Sequence, residues 1–160
     1  MRNHFVVAVF SLLLTCSSMV AVARQNPHPA NKIYAQQLVD DLFAKRSDLV
    51  SMGIHVTPPG QVDNVIVASN IASKVGKKSS ADDMSVMSTG KPLVKMKAKH
   101  VYDIVIPMYD ASGKTIGIIG MNLKCKGGEG EEVALERARQ IVEGFKQQTS
   151  STASLFQTVN

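Results

Sequence analysis

Four histidines, two cysteines and two pairs of adjacent aspartates are the side chains of this 160-residue sequence best suited to chemistry. His4, His28, His55 and His100 give no ligand-spaced pair, and Cys16 and Cys125 give no Cys-x-x-Cys, so neither a structural metal nor covalent haem is expected. Asp40-Asp41 and Asp82-Asp83 could do acid–base work only opposite a second group, and they read as acids of a helix surface and of a helix first turn. Serine, histidine and aspartate all occur, but no Gly-x-Ser-x-Gly elbow presents a nucleophile. "VGKKSS" and "CKGGEGEE" lack the Gly-Lys-Ser/Thr ending that cradles phosphate; Lys78 stands where the hydroxyl would be. The patterns predict no catalytic residue, no metal ligand and no cofactor.

The stretch "IPMYDASGKTIGIIGMNLK", Ile106 to Lys124, raises a different question. Two apolar runs flank the turn "DASG", and the second contains Gly117 and Gly120. Glycine weakens a strand interior and marks a bend, a bulge or a close approach by another group. Asp110 is expected to bond its own backbone in that turn, with Gly113 at positive φ. Side chains alternate along a strand, so Gly117 and Gly120 fall on opposite faces. Close helix-on-sheet packing would explain either one, and a pocket or a tightly packed loop would explain the other.

The elements that must position these residues follow from periodicity. Ala35, Leu38, Val39, Leu42 and Phe43 recur at helical spacing, predicting a helix from Asn31 to Lys45. Val50 to Val56 alternates as a strand, "TPPGQVDN" turns, and Asn64 to Ser69 is a β-branched second strand. Ser80 can cap a short helix that carries Asp82 and Asp83 in its first turn and ends at Thr89-Gly90. Strands are expected at Leu93 to Ala98, Val101 to Met108 and Thr115 to Lys124. A last helix, Glu131 to Gln147, carries Ala134, Ala138, Ile141, Val142 and Phe145 on one stripe and is expected to pack separately or project from Gly127-Gly128. The fold class is α+β, with five antiparallel strands in one sheet, the first helix on one face and the segment from Asn70 to Pro92 across the other.

The amino terminus predicts export. Arg2 and His4 precede an apolar run, Phe5 to Leu14, and a small-residue region ending at Ala21 and Ala23, the pattern of a secretory signal peptide cut after Ala23. A lipoprotein cut at Cys16 is the alternative. The expected organisation is a signal peptide over residues 1–23, a single domain over 24–147 and a polar, loose tail over 148–160. Cleavage would leave Cys125 without an intrachain partner, and Cys125 reads as a small strand-end residue. No later run is long and apolar enough to span a membrane. The net charge of +5 gathers mid-chain, where Lys95, Lys97 and Lys99 alternate with Val94, Met96 and Ala98 as on a strand with one wet face. Few aromatic residues and an exported location argue against nucleic-acid binding.

A resemblance adds to this reading. "NVIVASNIASKVGKKSSADDMSVMSTGKP" followed by "VYDIVIPMYDASGKTIGIIGMNLK" is similar to the Cache family of extracytoplasmic sensor domains, relatives of the PAS fold. The matching features are Ala68-Ser69, Gly76-Lys77, Thr89-Gly90-Lys91-Pro92, and Pro107, Asp110, Gly113 and Gly117, in that order, within Val50 to Lys124. From these 160 residues the transmembrane helix and transducer that usually follow are not expected, nor is the aromatic, Arg and Asp set with which some members hold amino acids. The resemblance implies a free-standing small-ligand-binding fold. It places a pocket between the sheet and the Asn70 to Pro92 segment, with Tyr102, Asp103, Ser69 and Lys77 as candidate ligand-binding residues.

Tyr102 and Asp103 are adjacent and face opposite ways, so at most one can dominate a single site. The partners this implies are a small polar metabolite and a membrane-bound receptor. Two other function classes stay open: a periplasmic interaction module with no small ligand, which an exposed apolar stripe beside a tightly packed sheet face would favour, and an enzyme.

Overall fold

The computed structural model describes residues 32–159; the expected leader, Cys16 and the expected helix start at Asn31 lie outside the described residues. Along the chain come β1 (Lys32–Ile33), α1 (Tyr34–Lys45), β2 (Leu49–Val56), β3 (Val65–Ser69), a 3-10 turn (Ala72–Lys74) and α2 (Ala81–Thr89). Then follow β4 (Leu93–Ala98), β5 (Val101–Tyr109), β6 (Thr115–Lys124), α3 (Glu131–Gln148), a second 3-10 turn (Ala153–Phe156) and β7 (Thr158–Val159). The fold is α+β. Five strands form one antiparallel sheet in the order β3-β2-β6-β5-β4, and β1 pairs with β7 in a separate two-stranded ribbon.

The register divides the sheet into two faces. Met52, Ile54 and Val56 of β2 stand opposite Met121, Ile119 and Gly117 of β6, which in turn face Ile104, Ile106 and Met108 of β5. All of these except Gly117 join the main core with Ala35, Leu38 and Val39 of α1 and with the Ala134, Ala138, Ile141, Val142 and Phe145 stripe of α3. The odd-numbered residues of β5 and their partners Ile118, Gly120 and Asn122 form the other face, crossed by α2. Ile66, Ile118 and Val86 are buried there, apart from the main core.

Two expectations are corrected here. The last helix does not stand apart: α3 packs along β5, because its apolar stripe would otherwise face water and α1 covers only the β2 and β3 side of that face. The tail is not loose. Leu155 is fully buried in the core, Gln157 O accepts from Tyr34 N at 2.8 Å, and β7 zips onto β1. One buried leucine and a few backbone bonds tie down a segment whose composition reads as polar.

The turns behave as their residues dictate. Asp110 Oδ1 accepts from Ser112 N (3.0 Å), Ser112 Oγ (2.6 Å) and Lys114 N (3.1 Å), and Gly113 sits at φ 86°. The Ser112 hydroxyl, with those amides, holds the Asp110 carboxyl below its ordinary range. Ser80 and Asp83 close a reciprocal capping box at the start of α2, and Gly90 ends that helix at φ 70°.

Candidate ligand-binding site

Between the α2 face of the sheet and the segment that leads into α2 lies a cavity of about 280 Å³. This is near the lower end of the roughly 300–1,000 Å³ common for ligand sites, so it suits a small metabolite. Its floor is set by strand register: Ser51–Asn122–Asp103 in one cross-strand row, and Gly53–Gly120–Val105 in the next. Lys74, Lys77, Lys78, Ser80 and Asp83 wall it from above, and His55 and Ile66 close one end. Hollows of about 370, 480 and 460 Å³ elsewhere are larger, but one is lined by α3 alone and, among the described residues, none is lined by a side chain with an unpartnered buried acceptor.

The glycines now have their reasons. Gly117 lies on the α1/α3 face, where a Cβ would run into the His55 carbonyl and into Val56 Cγ1. That position is close packing. Gly120 pairs with Gly53 on the other face, and a Cβ on either would meet only ordinary neighbours, the nearest on Gly120 being His55 Nε2 at 3.5 Å. Two adjacent residues without side chains leave the floor flat.

His55 is held in place by partners far away in sequence. β3 carries one extra residue between Ala68 and Ile66 where it pairs with Ile54 and His55, a bulge of the kind that re-aims side chains. His55 Nδ1 lies 2.9 Å from Ser79 Oγ and 3.7 Å from Asp83 Oδ2, and Ser79 Oγ donates to Asn64 Oδ1 at 2.6 Å. Burial lowers the His55 pKa below 6.5; the Asp83 carboxylate opposes the shift and the Lys74 ammonium adds to it. Asn122 is only 5% exposed, its amide nitrogen donates to Ser51 Oγ, and its Oδ1 has no partner among the described residues.

The four sequence-predicted residues divide evenly. Asp103 and Lys77 line the cavity. Tyr102 does not: it pairs in register with Met96 and Leu123, is 6% exposed, and sits in the main core on the α1/α3 face. Ser69 does not either. Its hydroxyl donates to Met52 O (2.7 Å) and accepts from Ile71 N (3.1 Å), while its backbone pairs with Gln36 of α1, so it fastens the end of β3. His55, Asn122 and Lys74 were missed. The signal available for Asn122 was an amide within an otherwise apolar strand.

Cys125 is buried at the end of β6, where burial pushes its thiol up and away from reactivity. Among the described residues no group of three or more His, Cys, Asp or Glu side chains is placed to hold a metal ion, and no helix is long and apolar enough to cross a membrane.

No protein-family profile matches the chain, and no curated protein matches it in sequence. Among solved structures it is similar to a double mutant of the inducer-binding domain of the PobR transcription factor from Acinetobacter, in complex with 3-hydroxybenzoic acid. That pair has 12% identity and a TM-score of 0.45, over 71% of this chain and 94% of the other. It is also similar to a protein assigned as a GAF sensor from Burkholderia vietnamiensis, at 17% identity and a TM-score of 0.45, over 71% of this chain and 76% of the other. At these values the likeness says nothing about a ligand for this chain.

Proposed function

We propose that the chain is an exported, Cache-like domain that binds a small polar metabolite on the α2 face of its sheet. The observation that carries this reading is the cavity, which gathers Lys74, Lys77 and Asp103, none in an ion pair among the described residues, around the buried polar groups of His55 and Asn122. Charged and polar side chains that converge on a hollow without neutralising one another are what a polar ligand needs. The reading is of binding rather than catalysis: Ser79 and Asp83, which approach His55, are engaged with Asn64 Oδ1 and with the Ser80 amide of the α2 cap and serve to hold the ring. The large exposed apolar residues, Phe43, Val50, Val62, Ile71, Val75, Met84, Met96 and Val133, are spread over helices, strands and loops, which gives the interaction-module reading no single stripe to rest on.

A thermal-shift screen of the purified protein against amino acids, carboxylates, amines and purines tests the binding claim. A compound present at about a hundred times its dissociation constant adds about 2.7 kcal/mol, which corresponds to roughly 10 °C in a domain of this size. A panel with no shift anywhere would refute it. Intact-mass analysis of secreted material tests export separately: the expected amino terminus is Arg24, and a lipid-modified Cys16 or a retained Met1 would overturn that part.

A further inference from the structure

The proton arrangement around His55 can be read from its partners. Asn64 Nδ2 donates to Met87 Sδ at 3.6 Å, which turns Asn64 Oδ1 toward Ser79. Ser79 Oγ spends its only proton on that oxygen, so at its 2.9 Å contact with His55 it can only accept. Nδ1 therefore carries the ring proton and Nε2 the lone pair. Nε2 lies 3.4 Å and 3.5 Å from the Cβ positions of Gly53 and Gly120, so the lone pair stands over the glycine floor of the cavity. A depressed His55 pKa agrees with this neutral form.

Asn122 is a second polar side chain on the same floor. Its Oδ1 is buried with no partner among the described residues while its nitrogen is committed to Ser51, and an unpaired buried acceptor is a cost that a donor entering from the cavity would remove on a small turn of the amide. Asp103, its cross-strand neighbour, adds a carboxylate. Asp103 also stands opposite Lys95, but that ammonium is taken by Asp82 at 2.8 Å. On the upper wall Lys78 is paired with Asp63 at 2.7 Å, whereas Lys74 and Lys77 have no carboxylate within ion-pair distance among the described residues. The floor offers acceptors and negative charge; the wall offers the ammonium groups of Lys74 and Lys77 beside the Asp83 carboxylate, which is turned to the Ser80 amide in the α2 cap.

We propose that the cavity takes a small dipolar molecule, with an ammonium or N–H donor end seated on His55 Nε2 and Asn122 Oδ1 and an anionic end held by Lys74 and Lys77. This rests on the small-ligand reading above and specifies the ligand's chemical class. The test is isothermal titration with three probes of matched length: 3-aminopropanoate, propanoate and propylamine. The dipolar probe is expected to bind at least about tenfold tighter than either single-ended one. Propanoate binding as tightly as 3-aminopropanoate would overturn the assignment of the floor and leave small-ligand binding standing. Failure of all three, with a hit elsewhere in the metabolite panel, would do the same. Failure of the entire panel would remove both.

Two variants locate the ends. Ser51→Ala/Asn122→Leu, which deletes the orphan acceptor together with its partner and leaves His55, should reduce the preference for the amine-bearing probe several-fold without lowering the melting temperature. Lys77→Ala, at an exposed position, should weaken 3-aminopropanoate and propanoate alike and leave propylamine unchanged. A preference left undiminished by the first variant, or anion binding that survives the second together with Lys74→Ala, would contradict the proposal.

Discussion

The two faces of the sheet are built from the same strands and do opposite things. On one, Ile54, Ile104, Met108, Ile119, Met121 and Leu123 are all but fully buried beneath α1 and α3. On the other, the alternate positions of those strands carry Ser51, Gly53, His55, Gly120, Asn122 and Asp103, and α2 covers them only in part. Stability therefore resides mainly on the helix face, where apolar area is removed from water. The other face gives up apolar burial to hold polar groups around a hollow. Substitutions should separate accordingly, costing stability on one face and binding on the other.

The largest effect is expected from Ile104→Ala, which opens a cavity under the helices and should cost about 2–5 kcal/mol in chemical denaturation. A loss below 1 kcal/mol would mean that the helix face is not the main source of stability. Next comes the pair of glycines. Gly117→Ala forces a methyl into the His55 carbonyl and should cost about 1–3 kcal/mol. Gly120→Ala meets only ordinary contacts, should change stability by less than about 0.5 kcal/mol, and should weaken whatever binds on the floor. Equal destabilisation by both would erase the distinction between the faces.

A smaller effect is expected from pH. The folded-state pKa of His55 lies below its unfolded value of about 6.5, with burial the main cause, so the unfolded chain takes up a proton first as pH falls. Stability should decline as pH drops below about 6.5 and stop declining, on this account, once the folded-state pKa is passed. Asp83 of α2 opposes this trend and Lys74 strengthens it. Comparing denaturation midpoints at pH 7.5 and pH 5 for the parent and His55→Gln checks it; an unchanged slope in the variant would acquit His55. Smallest of all, Lys95→Ala on the exposed edge strand should leave both affinity and core stability nearly unchanged. A large loss of binding would extend the site beyond the cavity.

The comparison also explains what could be read from the sequence. Strand alternation, the Ser80 cap, the Asp110 turn and the opposite facing of Gly117 and Gly120 are local patterns, and local patterns are legible. Alternation showed equally well that only one of Tyr102 and Asp103 could reach a given site. Choosing between them required knowing which face α3 covers. A helix expected to project left Tyr102 free to line a pocket, whereas a packed α3 buries it. His55 was unreadable for another reason: its partners Ser79 and Asp83 lie 24 and 28 positions away, brought near by a bulge and a capping box rather than by spacing. Ser69 ends a strand with its hydroxyl committed to backbone, a role that a motif match cannot distinguish from a rim contact.

The most direct test of the central claim is an amide and side-chain chemical-shift map recorded with the strongest-binding compound of the metabolite panel. The predicted result is perturbation at Gly53, His55, Lys77, Gly120 and the Asn122 carboxamide, with Tyr102, Val142 and Phe145 unmoved. Perturbations centred on Tyr102 and α3, or no saturable perturbation with any compound, would contradict the account.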